Sequence, residues 1–143
     1  MTLYLLDTNI VGHILRGDMP QVRARLVSVP MHALAVSVVT QAELAYGLAK
    51  RANPAGLAAM VREFLIRVAV LPWTPREAQA YGELRARCEA AGHGLAPLDM
   101  LIAAQAYALQ GAARPQGDRA VLVTRDRAFG RIPIGLAIED WTA

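Results

Sequence analysis

The chain has 143 residues, the length of one domain, and can bury about 70% of the surface that its unfolded form exposes. Hydrophobic residues make up 55% of the chain and charged residues 19%, which excludes an intrinsically disordered protein. The net charge of +3 permits a polyanionic partner, and the single cysteine, Cys88, excludes an intramolecular disulfide and a zinc site built from several thiolates.

The sequence carries no signal for a membrane or for secretion. No apolar run reaches the roughly 18 residues that a membrane-spanning helix needs. The N-terminus has no basic segment before its short apolar run and no cleavage-type site, unlike a signal peptide. We therefore expect a cytoplasmic protein without a membrane partner, folded as one domain over residues 1–143.

The first part of the chain alternates apolar runs with helical periodicity. Residues 3–6 and 33–39 are apolar and predict two buried strands, and the first strand ends directly before Asp7. Thr40 and Glu43 have the Thr-x-x-Glu spacing of a capping box, which predicts the start of a helix. The helices predicted in this part cover residues 8–15, a stretch opened by residues 18–20, and residues 40–50.

The second part of the chain continues the alternation. Thr74 and Glu77 form another Thr-x-x-Glu pair, before a helix that is predicted to end at Gly92. Residues 97–110 are apolar on nearly all sides, so we expect this helix in the middle of the protein. The other predicted elements are a helix opened by residues 53–54, strands at 68–71, 120–123 and 136–138, and a turn anchored by Phe129. The whole pattern predicts a three-layer α/β/α sandwich with four or five mostly parallel strands.

Four of the twelve acidic residues share one place in this topology. Asp7 follows the first strand, and Glu43 lies in the first turn after the second strand. Asp99 lies in the first turn of the apolar helix, and Asp126 follows the fourth strand by a few residues. Because the carboxyl ends of parallel strands face one edge of a sheet, we expect these four carboxyl groups within a few ångströms of a common point. Carboxylate ligands without cysteine or a suitably placed histidine favour Mg²⁺ or Mn²⁺ over zinc.

A simpler interpretation is that each acid only serves the start of a helix, where a carboxylate can cap amide groups and the helix dipole favours an anion. Two features favour a shared site instead. Asp7 directly follows an apolar strand and Asp99 heads a helix expected to be buried, and an unpaired carboxylate is costly to bury. The other eight acids, Glu77 among them, are expected at solvated positions.

Five short segments carry a resemblance to a known family. They are Leu-Leu-Asp7-Thr8-Asn9-Ile, Thr40-Gln-Ala-Glu43-Leu-Ala-Tyr-Gly47, Leu98-Asp99-Met-Leu-Ile-Ala-Ala-Gln-Ala, Leu122-Val-Thr124-Arg-Asp126 and Ile-Glu-Asp-Trp141. In this order and at this spacing they resemble the PIN domain and, more narrowly, the VapC ribonuclease toxins of bacterial toxin–antitoxin pairs. Each segment alone is weak evidence, whereas the ordered set spans nearly the whole chain.

The resemblance implies a Mg²⁺- or Mn²⁺-dependent endoribonuclease that forms a homodimer. It also implies a cognate antitoxin that inhibits by occupying the acidic groove. The family's acidic positions fall on Asp7, Glu43, Asp99 and Asp126. Asp7 and Asp99 are then the expected main metal ligands, and the other two acids hold a second ion or orient the attacking water.

Several neighbouring residues are candidates for supporting roles. Many relatives have an asparagine-rich segment after the fourth strand, where this chain has Thr124 before Arg125, so Thr124 is expected to share the role of Asp126. Thr8 is a supporting candidate beside Asp7. Asn9 either hydrogen-bonds the Asp7 carboxylate or caps the first helix. Arg125 and Arg127, near this edge, are candidates for holding the RNA backbone, and the simpler interpretation is that they are solvated surface residues.

Two other functions stay open at this point. An aspartate after the first strand is also found in haloacid-dehalogenase-type phosphatases, which use Asp-x-Asp and a late lysine. This chain has Asn9 at the second position, and its only lysine is Lys50. The other function is a non-catalytic binding module on the same fold, which the presence of all four acids disfavours. Metal-dependent RNA cleavage by the purified protein would separate these alternatives.

Overall fold

A parallel sheet of five strands forms the centre of the computed structural model, which describes residues 1–112 and 117–143. The strands, in chain order, are β1 (Thr2–Leu6), β2 (Leu34–Ser37), β3 (Ala69–Leu71), β4 (Arg119–Val123) and β5 (Ile138–Glu139). Their order across the sheet is β3-β2-β1-β4-β5, and every neighbouring pair is parallel. The central strand β1 therefore lies between the two strands that precede the predicted acids Glu43 and Asp126.

Six helices cover the two faces of this sheet. They are α1 (Thr8–Arg16), α2 (Pro20–Ser28), α3 (Val38–Ala49), α4 (Ala55–Arg67), α5 (Pro75–Ala91) and α6 (Pro97–Gly111). This architecture confirms the predicted α/β/α sandwich. None of the helices in the part of the chain that the structure describes is long and apolar enough to cross a membrane.

The core has two parts because side chains alternate between the faces of a strand. Leu5 of β1 belongs to the cluster that includes Leu84 of α5 and Ile102 of α6. The next residue, Leu6, belongs to the other cluster, with Ile10 of α1 and Val22 of α2. Helix α6 is buried along most of its length, as its apolar sequence predicted. Its first turn is thereby fixed at the carboxyl edge of the sheet.

The start of α3 differs from the prediction, and the difference affects the site. Ser37 is the N-cap, and its hydroxyl accepts a hydrogen bond from the Val39 amide at 3.0 Å. Strand β2 therefore ends at residue 37 instead of 39, and the helix begins at Val38. The predicted capping box of Thr40 and Glu43 is wrong. Both residues lie inside the helix, where their side chains are free to contact other elements.

Two smaller corrections concern Glu77 and the last strand. Thr74 caps α5 as predicted, but Glu77 is only 4% exposed and not solvated, and it accepts a hydrogen bond from the Thr74 hydroxyl at 2.8 Å. Strand β5 covers Ile138–Glu139 and not residues 136–138. Helix α5 ends at Gly92, as predicted, in a left-handed conformation with φ of 72° that glycine adopts at no steric cost.

Candidate active site

Asp7 is held at the carboxyl end of β1 by groups from two neighbouring elements. It caps α1, and its Oδ1 accepts a hydrogen bond from the Ile10 amide at 2.9 Å. Its Oδ2 accepts one from the Thr124 hydroxyl at 2.5 Å. Thr124 is in place because the Asp7 amide donates to the Val123 carbonyl at 3.0 Å, extending the pairing of β1 with β4. The carboxylate is thus fixed in one orientation.

Burial dominates the electrostatics of Asp7, which is 3% exposed. Desolvation raises its pKa above the ordinary value, and the hydrogen bonds from Thr124 and Ile10 oppose this increase. The negative charges of Asp126 and Glu43 raise the pKa further. These two acids are therefore close enough for their charges to act on Asp7.

Glu43 reaches the same edge from α3. The Thr8 hydroxyl donates a hydrogen bond to its Oε1 at 2.7 Å. Thr8 also shares a hydrogen bond of 3.0 Å with Thr40, whose side chain is fully buried. Thr8, which was expected only in a supporting role, thus links α1 to α3 and donates a hydrogen bond to Glu43.

Burial and three neighbouring acids act on Asp99. It lies in the first turn of α6 and is half-buried, and the N-cap of that helix is Ala96, so Asp99 is not a capping residue. Burial raises its pKa to about 6, and the charges of Asp126, Asp7 and Glu43 contribute to the increase. All four predicted acids therefore interact electrostatically at one edge of the sheet.

Asp126 also stabilises a local turn. It caps a short 3₁₀ turn, and its Oδ1 accepts a hydrogen bond from the Ala128 amide at 2.9 Å. Its own amide donates to the Thr124 hydroxyl oxygen at 3.0 Å. Thr124 thus contacts both Asp126 and Asp7, and the sequence pattern did not specify these two contacts.

A cavity of 420 Å³ opens beside these acids. Its lining consists of Asp7, Thr8, Asn9, Glu43, Ala96, Pro97, Leu98 and Asp99. Asn9 is exposed in this lining. Asp7 and not Asn9 caps α1, and within the described residues the hydrogen bonds to the Asp7 carboxylate come from Ile10 and Thr124. Neither predicted role of Asn9 is therefore observed.

The carboxylate groups are suitable ligands for a divalent cation, but their arrangement is not that of a preformed metal site. Across residues 1–112 and 117–143, no group of three or more His, Cys, Asp or Glu side chains is placed to hold a metal ion. The expected approach of the four carboxyl groups to a common point stays a prediction, although the charges of Asp126 and Glu43 act on both Asp7 and Asp99. The residues nevertheless fit a hard cation, because all candidate donors are oxygens. A positive charge would also stabilise the ionised form of Asp99, whose pKa is raised by burial and further by repulsion from the neighbouring acids.

The role of Thr40 was missed by the sequence analysis. Its spacing to Glu43 matched a local capping pattern, and this match concealed its contact with Thr8, 32 residues earlier in the chain. With Ser37 as the cap, Thr40 has no local hydrogen-bond partner. A polar residue in that position could have indicated a partner elsewhere in the chain.

Comparison with known proteins gives consistent results over nearly the whole chain. The family model described as PIN domain matches residues 4–135. The chain is 32% identical over 142 residues to Ribonuclease VapC2 of Haemophilus influenzae, covering 99% of both chains. It is also 32% identical over 143 residues to tRNA(fMet)-specific endonuclease VapC of Shigella flexneri, covering 99% of this chain and 100% of the relative. Its fold matches the crystal structure of DNA-bound VapBC from Salmonella typhimurium with a TM-score of 0.83 and 32% identity, over 99% of both chains.

Proposed function

Since the chain belongs to the PIN-domain family and, within it, to the VapC ribonucleases, we propose that it is the toxin of a toxin–antitoxin pair and cleaves RNA phosphodiesters with Mg²⁺ or Mn²⁺. Residues 1–143 would act as a single PIN domain in the cytoplasm, where its RNA is found. The observation that carries the proposal is the lining of one cavity by Asp7, Glu43 and Asp99, where burial and the charges of three neighbouring acids raise the pKa of Asp99 to about 6. Natural sites that concentrate like charges in this way are frequently functional.

The proposed metal ligands are Asp7 and Asp99, with Glu43 and Asp126 holding a second ion or orienting the attacking water. When bound, Mg²⁺ or Mn²⁺ would supply a water molecule of lowered pKa and would polarise a phosphoryl oxygen. The hydroxyls of Thr124 and Thr8 keep Asp7 and Glu43 oriented by the hydrogen bonds described above. The protein thus contributes a preorganised, negatively charged edge.

The RNA backbone needs positive charge next to this acidic edge, and two arginines beside Asp126 are placed to provide it. Arg125 and Arg127 are both exposed. Neither takes part in an ion pair with the acids in the described portion of the chain. We assign them to phosphate contacts, which position RNA without reading its sequence.

The test of this function uses purified protein and tRNA(fMet), the RNA for which the Shigella flexneri relative is named. We expect cleavage with Mg²⁺ or Mn²⁺, its loss on adding EDTA, and a decrease of orders of magnitude in Asp99→Asn. Glu83→Gln, which removes an exposed acid of α5, is the matched control and should cleave like the wild type. Cleavage that continues in EDTA, or that Asp99→Asn retains, would contradict the metal-dependent nuclease. The phosphatase and binding-module alternatives predict no RNA cleavage at all.

We propose that the antitoxin docks in an apolar groove between α2 and α4. The groove has a volume of 300 Å³, and its lining residues are Leu26, Val27, Val29, Met31, Leu34, Phe64, Arg67 and Val68. Val27 is 75% exposed, which is unusual for a large apolar side chain in an apolar surface. An apolar antitoxin segment is the occupant we favour, since the Salmonella typhimurium relative was solved as VapBC. That the antitoxin also covers the acidic groove, and that the toxin is a homodimer, remain parts of this proposal.

A further inference from the structure

The buried hydroxyl of Thr40 is linked through Thr8 to Glu43, one of the four acids of the candidate site. Thr40 lies in the first turn of α3 and is fully buried. Its hydroxyl oxygen is 3.0 Å from that of Thr8, which in turn is 2.7 Å from Oε1 of Glu43. A threonine inside a helix commonly bonds a backbone carbonyl of the preceding turn. Among the described residues, however, the one side-chain hydrogen bond of Thr40 is to Thr8.

The number of protons fixes the direction of this chain of hydrogen bonds. A threonine hydroxyl carries one proton, and an ionised carboxylate can only accept. Thr8 gives its proton to Glu43, so Thr40 must be the donor in the contact between the two threonines. The order of donation is therefore Thr40 to Thr8 to Glu43, and the buried Thr40 decides which way the Thr8 hydroxyl points.

The consequence concerns the two oxygens of Glu43. Oε1 is held by Thr8, whereas no hydrogen bond from any described residue reaches Oε2. Glu43 also lines the cavity beside Asp7 and Asp99. A carboxylate that is pinned through one oxygen presents the other in a defined direction, which is the requirement for orienting a water or a cation.

We infer that Thr40 is a positioning residue for Glu43, acting through the Thr8 hydroxyl. This inference rests on the proposed function, since it assigns a task to Glu43 in RNA cleavage. Within the described residues, Thr40 is not part of the cavity lining, and its side chain makes no hydrogen bond to an acid of the site. Its part is to remove the rotational freedom of Thr8, and thereby of the Glu43 carboxylate.

The test compares Thr40→Val, which keeps the shape and removes the donor, with Thr40→Ser, which keeps the donor. We expect Thr40→Val to lower kcat about threefold to tenfold, the range for one lost hydrogen bond, with KM changed by less than about twofold. Thr40→Ser should restore kcat to within about twofold of the wild type. Thr8→Val, which removes the intermediate hydroxyl, should lower kcat at least as much as Thr40→Val.

The control for a general weakening of α3 is Ser37→Ala, which removes the N-cap hydroxyl of the same helix but leaves the Thr40 contact in place. This variant should lose stability and keep its kcat. An equal decrease of kcat in Ser37→Ala and Thr40→Val, measured with the unfolding midpoints of all variants, would overturn the inference.

A second readout does not depend on cleavage. In protein labelled with ¹³C-glutamate, the δ-carboxyl resonance of Glu43, assigned with Glu43→Gln, should move in Thr40→Val and stay near its wild-type position in Thr40→Ser. An unmoved resonance in Thr40→Val would refute the positioning role. If the wild-type protein cleaves no RNA, the proposed function fails, while this resonance still decides whether Thr40 orients Glu43.

Discussion

Replacing Asp99 with asparagine should make the protein more stable in the absence of metal, although it should abolish cleavage. The pKa of Asp99 is raised from 3.8 to about 6, mainly by burial and further by the charges of Asp126, Asp7 and Glu43. An increase of about 2 units corresponds to about 3 kcal/mol of unfavourable interaction of the ionised form. Asp99 is only half-buried, so solvent screening reduces this to about 1.5 kcal/mol. Asparagine also gives up about 0.5 kcal/mol of helix-dipole stabilisation in the first turn of α6.

The expected net gain is about 1 kcal/mol, which corresponds to an increase in Tm of about 3–4 °C for a chain of this length. The sign follows from linkage. The pKa of Asp99 is higher in the folded than in the unfolded protein, so the stability gained from the protonated carboxyl is fully present below pH 3.8 and is lost as the pH rises through about 6. Asparagine does not titrate, so the variant should exceed the wild type in stability above pH 6 and the difference should shrink towards pH 4.

The assay is urea unfolding of the wild type, Asp99→Asn and the exposed control Glu83→Gln in EDTA, between pH 4 and pH 8. Mg²⁺ should then be added at pH 7.5, where it should stabilise the wild type and Glu83→Gln more than Asp99→Asn. Equal stability of the wild type and Asp99→Asn at every pH would refute the argument that burial and the neighbouring negative charges destabilise ionised Asp99. Equal stabilisation of all three proteins by Mg²⁺ would refute the assignment of Asp99 as a ligand.

Three further experiments test the Thr124 hydroxyl, the antitoxin groove and the dimer. Thr124→Val removes a buried donor to the Asp7 carboxylate and should lower the free energy of unfolding in urea by about 1.5–3 kcal/mol. Thr124→Ser keeps the hydroxyl and should lower it much less, and equal losses in the two variants would contradict the role of the hydroxyl. Val27→Glu should abolish binding to the antitoxin in calorimetry while the cleavage rate stays at the wild-type level, and undiminished binding would exclude the groove between α2 and α4. Light scattering of the toxin alone at tens of micromolar should give the mass of a dimer, with an interface from helices within residues 20–64 that leaves the groove between α2 and α4 open, and a monomer would contradict the proposed assembly.

The fold was largely predictable because its determinants are local. The alternation of apolar runs and helical stripes specified five strands and six helices, and the parallel arrangement placed Asp7, Glu43, Asp99 and Asp126 at one edge. The electrostatic effect of these acids on one another agrees with that placement. What the sequence could not specify was the partner of each carboxylate.

Those partners depend on contacts between distant parts of the chain. Thr124 and Asp7 are separated by 117 positions, and Thr8 and Glu43 by 35. A spacing rule evaluates only near neighbours, so the rule for Thr-x-x-Glu assigned Thr40 and Glu43 to each other. In the structure Ser37 is the cap, and the side chains of Thr40 and Glu43 both form hydrogen bonds with Thr8. At Thr74 the same rule paired the correct residues, since Thr74 is the N-cap of α5 and its hydroxyl donates to the buried Glu77.

The pairing of β1 with β4 makes the acidic edge a late product of folding. Asp7 is synthesised early, but the hydroxyl that orients it belongs to Thr124, 117 positions later in the chain. Bringing two such distant residues together has a larger entropic cost than forming a helix, whose contacts are local. A nascent chain that already contains β1, β2 and α6 still lacks β4, and its Asp7 carboxylate has no Thr124 to hold it. The hydrogen bond that orients Asp7 can therefore form only after β4 has been synthesised and has paired with β1.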